Sequence, residues 1–368
     1  MTQSKIVVMG SGKIGHLVSQ LLANTSDYHV TAVDANIEVA QKVTLDKDGK
    51  PLANAAAESA DFKNKDDLKR VLSGKDYVLS CAPYHCNKLI AEVAKECGVN
   101  YLDLTEDVET THYIRDLSKD SELAFIPQCG LAPGFIGIVA NHLYSQFQEV
   151  EKIKMRVGAL PQYPHNRLKY NLTWSTEGLI NEYGNPCEAV VDNKLTLLQP
   201  LEGLETFTLD GVEYEAFNTS GGLGTLAETL ESKVKNLNYK SIRYPGHRDI
   251  IALLMDDLKL NEDRDTLKKI FENSMPRTFQ DVVIIFVTAT GWNNGRYEQS
   301  SYAEKIYASD LFGQTWGAIQ VTTAAGLCAV LDLHREGKLQ KNGFISQEDV
   351  PFKDFIANRF GKFYNTDR

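Results

Sequence analysis

The chain has no surplus of positive charge: 39 lysines and arginines face 49 acidic residues, a formal net charge of −10. A nucleic-acid binder or a ligand of anionic membranes needs a basic face, so both partner classes are set aside. Long apolar runs are missing too. None approaches the roughly 20 residues of a membrane span. The N-terminus lacks the basic segment and apolar stretch of a secretory leader. The six cysteines include no C-x-x-C pair, and no histidines sit at zinc-ligand spacing, so no metal is expected. The thiols read as reduced and mostly buried, in a soluble cytoplasmic protein. There is no internal repeat, low-complexity tract or long linker.

What is present suits a globular protein. Hydrophobic residues make up 43% and charged residues 24% of 368 positions, enough for large cores. At roughly 150 residues per domain the length suggests about two domains.

The opening "KIVVMGSGKIGHLVSQLLA" carries the first chemical signal. Lys5–Met9 is a short β-branched run, the pattern of a buried parallel strand. Gly10, Gly12 and Gly15 form G-x-G-x-x-G. Ile14, Leu17, Val18, Leu21 and Leu22 then recur at helical spacing. A second strand, "YHVTAVDAN", carries Asp34 about 20 residues beyond Gly15. Strand, glycines, helix, strand and acid in this order form a dinucleotide fingerprint, far more specific than the glycines alone. Gly10 permits the sharp turn, Gly12 leaves room for a pyrophosphate, and Gly15 lets the helix approach the strand. The helix N-terminus offers free N–H groups to phosphate. Lys13 and Ile14 join the glycines as expected cofactor contacts. Asp34 can accept from both ribose hydroxyls and would repel a 2′-phosphate, so NAD is expected over NADP.

Strand and helix patterns alternate as far as "LAFIPQCGLAPG", the signature of a doubly wound parallel sheet. Ligands lie at the C-terminal strand ends of such sheets. Ala82, Pro83, Tyr84, Leu104, Gly130 and Pro133 are therefore further cofactor candidates, with Asp103 at the end of its strand. After Gly134 a helix is expected over 135–147. Strands are then expected at 152–159, 170–174, 189–191, 206–209, 212–217, 240–244, 282–290 and 296–308. This is an α+β region with a mostly antiparallel sheet, and "WNNGRY" reads as a hairpin turn. The helix pattern in "TTAAGLCAVLDLHREGKL" suits packing back on the nucleotide domain, which would then be built from two separate stretches of chain.

Three polar clusters mark the second half: "KYNLTWSTEGL", "SGGLGTLAETL" and "SIRYPGHRDII". Arg243 beside Pro-Gly can present a fixed fork to a carboxylate. Tyr170 and Trp174 can flank an aliphatic stem or an ammonium. Together they fit a zwitterionic amino acid. The plainer alternatives are core packing for Trp174, a structural ion pair for Arg243 and a helix-start histidine for His247.

In this order the glycine fingerprint, "CGLAPG", "YNLTWSTEGLINEY", "FNTSGGLGTLAETL" and "IRYPGH" resemble the saccharopine dehydrogenase-like oxidoreductases over nearly the whole chain. That group includes glutamate-forming saccharopine reductases and lysine 6-dehydrogenases. The resemblance implies a Rossmann doubly wound sheet with an inserted α+β domain. Residues 1–133 and 315–368 would form a discontinuous NAD-binding domain, and 134–314 a substrate-binding and dimerisation domain, giving a homodimer. Ala132, His247 and Asp34 look like the lysine 6-dehydrogenases, whereas the family's usual lysine is replaced here by Asn171. Lys169, two residues away on an extended strand, would place its head roughly 6–7 Å off. The expected reaction is oxidation of the side-chain amine of L-lysine by hydride transfer. Arg243 would hold the α-carboxylate, Tyr170 and Trp174 wall the pocket, and Thr173 and Ser175 donate hydrogen bonds. Asp103, Tyr170 and His247 are the candidates for moving a proton. Saccharopine or carboxylated-polyamine chemistry is the alternative, and a non-catalytic NAD(H) sensor a third reading.

Overall fold

The β-branched run at the start forms the centre of the first sheet. In the computed structural model, which describes residues 3–365, β1 (Ser4–Met9) lies between β2 (Tyr28–Asp34) and β4 (Tyr77–Ser80). β3 (Ala55–Ser59) extends one side. β5 (Asn100–Asp103), β6 (Ala124–Ile126) and a last strand, Gly343–Phe344, extend the other. All seven strands are parallel, and the order reverses at β1, which places a ligand crevice beyond the C-terminal ends of β1 and β4. Ile6, Val7, Val8 and Met9 are fully buried, as a strand covered on both faces requires.

The chain divides into two units. The first runs to Phe135 and is completed by Asp310–Gln314 and Gln320–Asn365, and the second takes Ile136–Ser309 and Thr315–Ile319. In the first unit, late residues clamp early ones. Asp332 is buried and accepts from the Tyr28 hydroxyl at 2.6 Å, from Arg359 Nη2 at 2.7 Å and Nε at 3.0 Å, and from Asn358 Nδ2 at 2.8 Å. Arg359 Nη1 also reaches Asp27 at 2.6 Å.

The second unit is a mixed sheet. β7 (Glu149–Pro161) is followed by the hairpin β8 (Cys187–Val191) and β9 (Lys194–Leu198). Then come β10 (Glu205–Leu209), β11 (Val212–Asn218), β12 (Val234–Arg243), β13 (Asp281–Asn293) and β14 (Arg296–Tyr307). The order is β10-β11-β12-β7-β13-β14, with β8 on the edge of β12. Only β7 and β12 pair in parallel among these strands. The turn in "WNNGRY" is a two-residue hairpin with Asn294 and Gly295 both at positive φ.

One expected strand does not form. Residues 170–174 are irregular, with a single bridge from Leu172 to Arg277. The Asn166 side chain accepts from Tyr170 N at 3.2 Å and donates to Tyr170 O at 2.7 Å, so a side chain satisfies the backbone groups a ladder would have used. Among the described residues no helix is long and apolar enough to cross a membrane, and no group of His, Cys, Asp and Glu is arranged to hold a metal ion.

Asp332→Ala should leave the Tyr28 hydroxyl and the Arg359 guanidinium without their shared acceptor. Arg359 is 37% exposed and keeps Asp27, so the cost is chiefly that of leaving the buried Tyr28 hydroxyl and Asn358 amide without an acceptor, about 1–3 kcal/mol, read as a lower denaturant midpoint for the first unit. A loss under about 1 kcal/mol would reduce the network to the rank of a surface ion pair.

Candidate functional site

In the first unit the sharpest constraints gather beyond β1. Gly10 has φ +91°, and a Cβ there would lie 2.8 Å from Cys81 O and 3.1 Å from Ala82 N. A Cβ on Gly15 would collide with Gly10 O, so helix Lys13–Ala23 can approach β1 only with glycine at that position. Gly12 differs: its side faces open space, with nothing within 4 Å. Gly12 precedes the helix without a side-chain cap, and a helix N-terminus of this kind, beside open space, fits a pyrophosphate. Asp34 is held by two backbone donors, Ser11 N at 2.9 Å on Oδ2 and Asn36 N at 3.1 Å on Oδ1. Lys13 and Pro83 are exposed, and Ile14, Ala82, Tyr84 and Leu104 are half-buried. Leu104, Gly130 and Pro133 form a second grouping: a Cβ on Gly130 would lie 3.2 Å from Pro133 O and 3.6 Å from the Leu104 side chain.

Asp103, a candidate for moving a proton, is tightly built into the end of β5. It is 0% exposed, and burial pushes its pKa up to about 6. Oδ1 accepts from Thr105 N at 3.0 Å and Gln128 N at 2.9 Å, and Oδ2 from the Tyr101 hydroxyl at 2.8 Å. The carboxyl therefore clasps the segments after β5 and β6 together. It positions Leu104 and Gly130 and has its oxygens committed to that task.

In the second unit the sequence-selected residues converge on Arg243, at the end of β12. Arg243 Nε donates to the Tyr183 hydroxyl at 2.8 Å, and Nη1 donates to Ile242 O at 2.8 Å. The guanidinium carbon lies 4.9 Å from the Tyr170 ring centroid and 5.5 Å from that of Tyr183. Tyr183 in turn meets His247 Nε2 at 2.9 Å, and His247 Nδ1 meets Leu168 O at 2.8 Å. A carbonyl only accepts, so Nδ1 carries the proton, and the Tyr183 hydroxyl donates to Nε2. His247 is 1% exposed and boxed by Tyr170, Tyr183 and Phe217. Burial, and then the Arg243 charge, push its pKa down to about 3. With both ring nitrogens hydrogen-bonded, His247 holds Tyr183, and through it Arg243, in place.

The turn that delivers Arg243 is fixed from outside. Glu215, opposite Arg243 on β11, accepts from Gly246 N at 2.8 Å and Arg248 N at 2.7 Å. Lys169 Nζ donates to Pro245 O at 2.9 Å, so it braces this turn. Tyr170 is fully buried, with Trp174 Nε1 donating to its hydroxyl at 3.2 Å. Burial raises the phenol above its usual range. The Ser175 hydroxyl caps helix Thr176–Gly184, accepting from Gly178 N at 3.1 Å, which leaves its O–H able to donate. Thr173 Oγ1 lies beside the Tyr170 phenol without hydrogen-bond geometry. Asn171 Oδ1, on a side chain that is also buried, finds no donor among the described residues.

Sequence reasoning missed Tyr183 and Glu182, although both lie in the quoted motif. Their signal was a pair of polar residues at the end of an amphipathic helix. Glu182 Oε2 stands 3.5 Å from Arg243 Nη2.

A family model described as the saccharopine dehydrogenase NADP binding domain matches residues 6–125, and one described as the saccharopine dehydrogenase C-terminal domain matches residues 130–362. Mouse mitochondrial alpha-aminoadipic semialdehyde synthase is 22% identical over 200 residues, 53% of this chain and 21% of that protein. The NADP(+), L-glutamate-forming saccharopine dehydrogenase of Schizosaccharomyces pombe is 22% identical over 268 residues, 68% of this chain and 57% of the relative. The chain thus matches about a fifth of the first and under two thirds of the second. The apo L-Glu-forming saccharopine dehydrogenase of Saccharomyces cerevisiae shares the fold, with a TM-score of 0.77 at 17% identity and 95% coverage of both chains.

The buried histidine carries a pH signature. Its folded pKa of about 3 lies below the ordinary 6.5. Between those values the unfolded state binds one more proton, so this contribution to stability falls as pH falls. His247→Gln removes it. The stability difference between wild type and variant should therefore grow from pH 4 to 6.5, by at most about 1.4 kcal/mol per pH unit, and level off above. Urea titrations across that range measure it, and a pH-independent difference would mean the ring is not held neutral.

Proposed function

The chain belongs to the saccharopine dehydrogenase family, and from that premise we propose that it is an NAD-dependent dehydrogenase oxidising the side-chain amine of L-lysine. The carrying observation is the charge of the cluster at Arg243. The group holds one guanidinium, faced by one carboxylate, Glu182. An amino acid with a single carboxylate suits it; the three carboxylates of saccharopine would meet one cation and a standing negative charge. Saccharopine chemistry is the second reading, favoured by the printed activities of the relatives.

Arg243 takes the α-carboxylate with a fork that Tyr183 and Ile242 O prevent from turning. Tyr170 and Trp174 wall the methylene stem. The bound nicotinamide supplies the hydride acceptor. The side-chain ammonium must lose a proton before its carbon can give up hydride. With Asp103 and His247 committed to internal hydrogen bonds, that proton passes to water. Water then adds to the imine, ammonia leaves, and the product is an aldehyde. A cytoplasmic homodimer is part of this proposal.

The cofactor preference rests on Asp34. The matching family model and the fission-yeast relative carry NADP in their descriptions, whereas a carboxylate fixed by two backbone N–H groups at the ribose position repels a 2′-phosphate. Asp34→Ser should lower the NAD⁺ over NADP⁺ ratio of kcat/KM by about tenfold or more, one carboxylate–phosphate repulsion of about 1.4 kcal/mol. An unchanged ratio would remove Asp34 from cofactor selection.

The activity itself is tested by following cofactor reduction with L-lysine, saccharopine and carboxylated polyamines. Lysine should reduce NAD⁺, and Arg243→Ala should raise its KM by two orders of magnitude or so, the cost of about 3 kcal/mol for losing a buried charged hydrogen-bond partner. Turnover of saccharopine alone would establish the second reading, and nucleotide binding without any turnover a sensor.

A further inference from the structure

One face of the second unit's sheet gathers cations that the amine chemistry does not use. In the parallel register, Lys154 and Arg156 of β7 stand beside Asn238 and Lys240 of β12, with Lys152 beside Asn236 one row earlier. Side chains two residues apart share a face of a strand, so these all project from the same side of the sheet. Arg243 lies an odd number of residues from Asn238. It projects from the opposite side, roughly 16 Å further along β12. The two clusters are therefore separate.

The charges on this face do not balance. Glu205 is the one carboxylate that pairs with its cations among the described residues. Its Oε2 accepts from Lys154 Nζ at 2.6 Å and its Oε1 from Arg156 Nε at 2.7 Å, while Lys240 Nζ stands 3.6 Å from Oε1. Three cations against one carboxylate leave two positive charges, in a chain whose net charge is −10. The Arg156 and Lys240 side chains are each 7% exposed, and an uncompensated charge is costly at such depth. Burial lowers the Lys240 pKa, and the Lys154 and Arg156 charges lower it further, against the pull of Glu205. Arg156 is clamped between rings, its guanidinium carbon 4.8 Å from the Phe286 centroid and 5.8 Å from that of Phe207. Nη1 makes only long contacts, 3.4 Å to Thr288 Oγ1 and 3.5 Å to Phe286 O, and Nη2 has no hydrogen bond among the described residues.

A cavity of about 190 Å³ opens beside these cations, lined by Lys152, Lys154, Asn236 and Asn238 together with apolar side chains such as Leu198. Among the described residues no acid lines it. Asn238 is half-buried, and its Oδ1 is buried without a partner. The protein does not fix that amide, which can turn its N–H groups to a ligand. We infer that this cavity is a second binding site, for a small dianion held by Lys152, Lys154 and Asn238 next to Arg156, either inorganic phosphate or a short dicarboxylate. A double negative charge matches the surplus that Glu205 leaves. The site is independent of the amine reading, and either can fail without the other.

The test titrates inorganic phosphate and succinate calorimetrically into the full-length chain at about 0.15 M chloride, which screens weak surface pairing. Wild type should bind one dianion per chain with a Kd below about 1 mM. Asn238→Asp places a carboxylate in the cavity and should weaken binding at least about tenfold, one repulsion of about 1.4 kcal/mol. Lys152→Gln should weaken it about two- to fivefold, the range of one exposed charge pair. Tighter phosphate identifies the ligand as a phosphate, and tighter succinate as a dicarboxylate. No binding of either, or an affinity unchanged by Asn238→Asp, overturns the inference, since the anion would then sit elsewhere, at Gly12 or Arg243. If Asn238→Asp loses its thermal transition, Lys152→Gln carries the test from an exposed position, with unchanged affinity as the overturning result. A second copy of the chain meeting these cations would show as a dimer weakened by Asn238→Asp with no anion bound, and that also overturns it.

Discussion

The run of hydrogen bonds from Arg243 Nε to the Tyr183 hydroxyl, on to His247 Nε2, and from His247 Nδ1 to Leu168 O organises the second unit's polar centre. Its direction is set at the carbonyl end, since Leu168 O can only accept. That fixes the histidine tautomer, then the hydroxyl, then the orientation of the guanidinium. A chain of this kind is strong because every member is satisfied in low dielectric. It needs His247 neutral, and burial supplies that condition. Around it, Tyr170 covers one side of Arg243 and helix Thr176–Gly184 delivers Tyr183 and Glu182 to the other.

The first unit solves a different problem with backbone instead of side chains. A dinucleotide needs close approach to the main chain. Gly10 turns, Gly15 clears the helix, and Gly12 leaves an opening. Asp103 does for the far side of this sheet what His247 does for the second unit. A residue with catalytic chemistry is consumed in holding a loop, here the segments carrying Leu104 and Gly130.

Much of this was readable in advance. The β1 pattern, the glycines and Asp34 fixed the first sheet because periodicity and spacing there follow directly from burial and phosphate geometry. The Asn-Gly turn was legible for the same local reason. The stretch around Tyr170 was not. Its alternation imitates a strand, but Asn166, four residues upstream, satisfies its backbone. The Ser175 cap was not read from the sequence, since a cap and a ligand contact use the same hydroxyl. The surroundings of His247 and Asp103 were not legible, because an ordinary pKa says nothing of which atoms a fold brings to the ring or the carboxyl. Tyr183 and Glu182 went unassigned, since only tertiary packing places them at Arg243.

The Asp332 clamp has a further consequence for biogenesis. Tyr28 and Asp27 leave the ribosome early, whereas Asp332 and Arg359, which they bind, are translated after the whole of Ile136–Ser309. At 5–20 residues per second, the 304 residues from Tyr28 to Asp332 and the 332 from Asp27 to Arg359 separate the partners by roughly fifteen to sixty-five seconds. Through that interval the nascent β2 region lacks these partners, so the clamp closes only after Ile136–Ser309 has been made.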